Sequence, residues 1–295
     1  MSQLSLSVLL LLSALWVSVG PVGAAVRLAY TRLDGGHWQV WSSEASGDKA
    51  RPVTSSAWDK RCLRAGGRTD LLLLRDNEGK IHRLDLTRGG AESAVSLGFE
   101  VVKDFDFSPE NGFLVASYAP NALDNVCVWH VPREGQPKRL LISDPYLNET
   151  PQWFPKGDRF LFAKSHAGRS HLCVSELAKP KAGVFLKRAL SSASEPRISP
   201  DGMQVVFCGQ GGASIDLWIC SADGTEAREL YAGPGLETEP SWTPDGEWVY
   251  FTTWDGKNFR LARIQPTGRE FSFVSAQGVD CRCPVVINMT GENHE

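Results

Sequence analysis

The feature that most constrains this chain is a turn followed by an apolar strand, which returns at a nearly fixed interval. Ser199-Pro200-Asp201-Gly202 leads into Met203-Gln204-Val205-Val206-Phe207, and Thr243-Pro244-Asp245-Gly246 leads into Glu247-Trp248-Val249-Tyr250-Phe251. Phe154-Pro155-Lys156-Gly157 precedes Arg159-Phe160-Leu161-Phe162, and Ser108-Pro109-Glu110-Asn111-Gly112 precedes Phe113-Leu114-Val115. Proline presets φ at the second turn position, and glycine accepts the positive φ that closes the turn. The turn prolines stand at 109, 155, 200 and 244, at intervals of 46, 45 and 44 residues. A unit returning at this period marks a repeat architecture, in which each unit buries its apolar face against its neighbours.

The later units share one order: inner strand, Pro-Gly turn, apolar strand, polar turn, third strand, fourth strand. They begin at Asp104, Thr150, Glu195 and Glu239. The first unit reads as a hairpin of residues 26–30 and 38–41 around Gly35-Gly36. The second begins near Trp58, lacks the proline, and carries strands over 71–74 and 81–86 with turns at Gly66-Gly67 and Asn77-Glu78-Gly79. No stretch beyond the N-terminal segment holds a helical apolar period, so the chain is expected to be all-β. Four short antiparallel strands in each unit of about 40–50 residues make a propeller blade.

A second proline stands four residues before three of the turn prolines, at 151, 196 and 240. The same repeat places Pro284 next, with Val285-Val286-Ile287 in the positions of Ser241-Trp242-Thr243. The expectation is a six-bladed β-propeller of four-stranded antiparallel blades, one domain over residues 26–290. Residues 284–288 would join the N-terminal blade as its inner strand and remove the open sheet edges of a linear array.

Residues 1–25 carry an apolar run from Leu9 to Val19, then Val22-Gly23-Ala24 before Ala25. This run is short for a membrane span and reads as a secretory signal, although Met1 to Ser7 contain no Lys or Arg. An uncleaved anchor is the alternative. The expected location is periplasmic or secreted, with 291–295 as a tail and no integral span after cleavage. A net charge of −3 and a pI near 6.1 supply no basic field, which excludes a nucleic-acid partner.

The fullest repeat runs Glu239-Pro240-Ser241-Trp242-Thr243-Pro244-Asp245-Gly246-Glu247-Trp248-Val249-Tyr250-Phe251, then Asp255-Gly256, a third strand and Gly268. It resembles the TolB-type WD-repeat-like propeller repeat, and residues 195–207 and 151–162 are similar. Units one and two match poorly, and unit three has Glu-Asn-Gly for Asp-Gly. In the TolB family an α/β domain precedes the propeller, and both parts contact partner proteins of the Tol-Pal envelope system. Here the first strand follows the signal directly, so the resemblance is to the propeller alone. The same repeat resembles propellers of prolyl-oligopeptidase-like enzymes and of some polysaccharide lyases.

Chemistry-bearing motifs are few. Gly-x-Ser-x-Gly, His-Glu-x-x-His and a phosphate-binding Gly-rich loop before a helix are absent from the sequence. Gly209-Gln210-Gly211-Gly212 reads as a hairpin connection. His37, His82, His130, His166 and His171 do not occupy equivalent inner positions and are expected outside the channel. Of seven cysteines, Cys127, Cys173, Cys208 and Cys220 fall in strands as small hydrophobes, and Cys281-Arg282-Cys283 lacks the spacing of a zinc site. Two Asn-x-Thr sequences, at Asn148 and Asn288, fit the glycosylation pattern, which matters only in a eukaryotic chain; in a bacterial one, the source the resemblance implies, both are chance matches.

The repeat itself creates one constellation. Five residues before each turn proline stand Asp104, Thr150, Glu195 and Glu239, with Ser55 as the counterpart in unit two and Cys283 in the closing strand. Equivalent positions form a ring, so three carboxylates would surround one channel mouth and invite a cation, a basic segment or a polar ligand. The structural alternative is that they bond backbone N–H groups of neighbouring blades. The expected function is an exported, non-catalytic, monomeric binding module for an envelope or secreted protein or other macromolecule, without a cofactor. The alternative is a glycan-processing or polysaccharide-lyase enzyme with its site at the channel mouth.

Overall fold

In the computed structural model, which describes residues 26–66, 71–86, 88–119 and 122–288, all regular structure is β-strand. The expected signal, the tail, Gly67 of the second unit's first turn and Met289-Thr290 lie outside the described residues. The strands come in groups of four. First come β1 (Val26–Asp34), β2 (His37–Glu44) and β3 (Arg51–Pro52). Next are β4 (Arg61–Ala65), β5 (Leu71–Arg75), β6 (Ile81–Asp85) and β7 (Ala91–Val95). Then follow β8 (Val102–Ser108), β9 (Gly112–Ala119), β10 (Ala122–Val131) and β11 (Arg139–Ile142). After them run β12 (Leu147–Trp153), β13 (Arg159–His166), β14 (Arg169–Glu176) and β15 (Gly183–Val184). The next four are β16 (Ser192–Ile198), β17 (Gln204–Gln210), β18 (Asp216–Ser221) and β19 (Arg228–Tyr231). Last are β20 (Glu237–Trp242), β21 (Val249–Trp254), β22 (Phe259–Ile264), β23 (Phe271–Phe273) and β24 (Cys281–Asn288).

Each group is an antiparallel meander. The groups β8–β11 and β12–β15 touch at one parallel bridge, Val126 to Leu147. The strand β24 does not extend the last meander but returns to β1, with Leu28 opposite Val286 and Arg27 opposite Ile287. That sheet runs β24-β1-β2-β3.

The repeated turn is built as its residues require. The Asp201 carboxylate accepts the Ser199 hydroxyl at 2.6 Å and the Met203 N–H at 2.9 Å, and Gly202 sits at φ 73°. Asp245 accepts the Glu247 N–H at 2.9 Å, with Gly246 at φ 74°. Both aspartates belong to the turn, not to a site.

Burial follows the strand order. The second and third strands are nearly continuous buried apolar runs, such as Val205-Val206-Phe207 and Leu217-Trp218-Ile219. Each apolar cluster lies between two neighbouring meanders. Phe154, Leu161 and Leu172 pack against Val205, Phe207 and Trp218, and Val206, Leu217 and Ile219 pack against Trp242, Val249 and Phe251. The last meander packs in the same way on the first, through Tyr250 and Leu261 against Leu28, Tyr30 and Val286. There the Tyr250 hydroxyl donates to the Ala45 carbonyl at 2.6 Å.

The second unit differs from the sequence reading. Its inner strand begins at Arg61, not near Trp58, because residues 58–60 are tied to the first unit. The Lys60 N–H donates to the Trp38 carbonyl at 2.9 Å, and the Trp38 N–H donates to Asp59 Oδ1 at 2.9 Å. Lys60 is fully buried, its ammonium lying 4.0 Å from the centre of the Trp58 ring and donating to the Trp58 carbonyl at 2.7 Å.

Candidate functional site

Every inner strand carries a β-bulge, in five of them at the same place and in β8 one residue earlier. Thr150-Pro151 face one residue of β13, Glu195-Pro196 one of β17 and Glu239-Pro240 one of β21. Cys62-Leu63 bulge from β4 against β5, Cys283-Pro284 from β24 against β1, and β8 has a one-residue bulge just before Asp104. Proline suits the second bulge position, because the extra residue has no ladder partner and its missing N–H loses nothing. The residue before it is left-handed without being glycine: Cys62, Thr150, Glu195, Glu239 and Cys283 have φ between 49° and 55°. A non-glycine residue there costs on the order of 1 kcal/mol and persists only when its surroundings hold it.

The surroundings do hold it. A bulge leaves the N–H of its first residue without a ladder partner, and the carboxylate of the preceding unit takes it up. Glu195 Oε2 accepts the Glu239 N–H at 2.6 Å, and Glu239 Oε2 accepts the Cys283 N–H at 2.9 Å. The Cys62 N–H in turn faces the Cys283 sulfur. Asp106 also joins neighbouring units, but past the bulge: between β8 and β12 it accepts the Trp153 N–H and the Gln152 side-chain amide, each at 2.8 Å. The structural alternative considered for the acidic ring is thus realised at Glu195 and Glu239, which join neighbouring meanders.

Asp104, Thr150, Glu195, Glu239 and Cys283 line one cavity of about 350 Å³. Ser55 does not. It is exposed on the segment before β4, and Cys62 takes the unit-two place, since counting from a turn proline fails where that proline is missing. Two residues further along each inner strand, a second tier lines the same cavity: Arg64, Asp106, Gln152, Arg197, Ser241 and Val285. Sequence reasoning missed this tier, although the strand period of two and the same alignment point to it.

The second tier alters the electrostatics. The expected acidic mouth is largely cross-neutralised, because Arg64 pairs with Asp104 at 3.0 Å and Arg282 pairs with Glu239 at 2.8 Å. Burial pushes the Glu239 carboxyl up, but Arg282, the Cys283 N–H and the Thr252 hydroxyl outweigh it and hold it below the usual value. Burial and the neighbouring Glu239 push the Glu195 carboxyl up. Burial raises Asp106 against the pull of the Trp153 N–H. Arg197 is lowered by burial and by the like charge of Arg64, against the pull of Asp104, Glu195 and Asp106, and among the described residues its side chain donates to the Pro196 carbonyl, at 2.8 Å. Among the described residues no carboxylate lies within ion-pair distance of it.

The histidines stand elsewhere. His82 pairs with Asp76 at 2.8 Å on β6, a His130 ring nitrogen meets the Asn111 carbonyl at 2.7 Å, and none of the five lines this cavity. Among the described residues no cluster of three or more His, Cys, Asp or Glu is arranged to hold a metal. Nor do the described residues form any helix long and apolar enough to cross a membrane.

Known proteins agree with this architecture. The sequence profile of the TolB beta propeller domain matches residues 130–288, more than half of the chain. The Tol-Pal system protein TolB of Anaeromyxobacter dehalogenans is 30% identical over 115 residues, which is 37% of this chain and 25% of that protein. The uncharacterized peptidase YuxL of Bacillus subtilis is 29% identical over 154 residues, 48% of this chain and 23% of that one. The chain thus spans about a quarter of the length of these relatives. The crystal structure of TolB from Acinetobacter baumannii superposes with a TM-score of 0.76 at 17% identity, over 88% of this chain and 66% of that one. With repeat, sheets and profile in agreement, the chain belongs to the TolB beta propeller family.

Proposed function

We propose that this protein is an exported six-bladed propeller, closed by β24, that binds a protein or another macromolecule of the cell envelope at its channel mouth and performs no chemistry there. The observation that carries the reading is the central cavity, lined by the equivalent residue of each inner strand: Cys62, Asp104, Thr150, Glu195, Glu239 and Cys283. A site assembled from every unit of a repeat is suited to recognising a ligand on the axis, and function on such a fold resides in the site. Closure is supported by the pairing of β24 with β1 and by the cluster joining Tyr250 to Leu28. Asp104, Thr150, Glu195 and Glu239 are the proposed ligand-facing residues, of which Thr150 is least engaged: its hydroxyl is buried and unpartnered.

Affinity capture from envelope fractions tests the reading, comparing the native chain with Thr150→Arg, which plugs the mouth. A partner retained by the native chain and released by the variant is the expected result. Metal-dependent cleavage of a polyuronide, with no partner captured, would replace it with the glycan-processing reading. Export is tested separately by the N-terminal sequence of the mature protein, expected to begin at Ala25.

A further inference from the structure

We infer that the channel cavity recognises a carboxylate, received by Arg197. The inference deepens the proposed binding function and rests on the cavity being the ligand site. Arg64 and Arg282 reach the same region, but each is committed to a carboxylate of the protein, Asp104 and Glu239 respectively. Arg197 lines the cavity and spends one donor on the carbonyl of Pro196, the residue before it. Arg197 is half-buried, and a guanidinium carries five N–H donors in a planar fork, so most of its donors remain open to a ligand in the cavity. An arginine that makes no ion pair of its own, beside another arginine in a built cavity, is open to a carboxylate brought by a ligand.

The chemical class follows from the neighbours. One free guanidinium balances one negative charge, and its fork fits a carboxylate in two parallel hydrogen bonds. A phosphate dianion would bring a second charge against Glu195, Asp104 and Asp106, which face the same space. The lining also has an apolar part, with Pro200, Trp242 and Val286. The fitting ligand is therefore an apolar peptide segment ending in, or carrying, a single carboxylate. Glu195, pushed up by burial and by Glu239, becomes neutral before an ordinary carboxyl does, which lowers the repulsion such a ligand meets.

The test uses the full chain and three N-acetylated apolar pentapeptides: a free C-terminal acid, its C-terminal amide, and the amide with one internal Glu. Titration calorimetry is expected to find the free acid bound at least about tenfold more tightly than the plain amide. The internal-Glu peptide separates a chain end from a side chain as the source of the carboxylate. Arg197→Gln should abolish the difference between acid and amide, and Arg197→Lys should recover part of it. Equal binding of acid and amide, or a preference untouched by Arg197→Gln, would overturn the inference while leaving the channel as a ligand site. No binding of any peptide at millimolar concentration would also overturn it, and the envelope capture would still stand as the independent test of the binding function. If Arg197→Gln fails to fold, the acid-against-amide comparison on the native chain decides.

Discussion

Glu195 and Glu239 occupy the same place in successive units yet have opposite energetics. Glu239 meets Arg282, the Cys283 N–H and the Thr252 hydroxyl, at 2.8, 2.9 and 2.7 Å. Glu195 accepts the Glu239 N–H and a thiol, with no cation at ion-pair distance. Glu239→Gln should therefore destabilise the fold by about 2 kcal/mol near pH 7 in urea denaturation. Because its folded pKa lies below the unfolded one, this contribution is present above the unfolded value and fades as pH falls through the folded value. Glu195 has the reverse sign: its raised pKa makes the folded state bind the proton more readily, so stability falls as pH rises from the ordinary carboxyl value through the raised one. Glu195→Gln keeps an oxygen for the Glu239 N–H and should leave stability at pH 8 unchanged or higher, with a flatter pH profile. A loss as large as that of Glu239→Gln would contradict this account. The ring position itself was legible because it lies at a fixed count from the turn proline. Which carboxylate meets an arginine was not, since Arg64 and Arg282 come from inner strands outside the four proline-marked units.

At the scale of the element, the inner strand shows what a repeat reveals and what it conceals. Turns, strands and the place of β24 were readable from Pro-x-Gly spacing and apolar runs, which encode local geometry. The bulge was not read, although Pro151, Pro196, Pro240 and Pro284 mark it. Proline says that a ladder bond is missing, but not that two residues share one partner. The strand β24 carries the largest single consequence. Ile287, with Val285, packs among Leu63, Leu72 and Leu74, while Val286 faces Tyr250 and Leu261 on the other side. Ile287→Ala should cost about 2–4 kcal/mol, read as a drop in the urea midpoint with unchanged slope. Val286→Asp places an unpaired charge in the seam on the other side of β24 and should prevent cooperative folding altogether, seen as a broad melt and association in sedimentation.

For the molecule as a whole, the local readings combine into an arrangement in which no meander is stable alone, since every apolar cluster is shared between two. The cavity lies where the inner strands of successive units meet, so its lining is drawn from all of them. The pairing of β24 with β1 also sets an order of events. The Thr31 hydroxyl donates to the Arg282 carbonyl across 251 positions, a separation that makes this contact among the last to form. Refolding after a denaturant jump should accordingly end in a slow phase that reports the first sheet, followed through a probe near Trp41, while a probe at Trp218 settles earlier. Coincident kinetics at both places would speak against late closure. A ribosome delivers residue 26 long before residue 288, so the first sheet waits, one edge open, for nearly the whole of synthesis. The chain thereby carries its own timer, its first sheet staying open until the final strand is released.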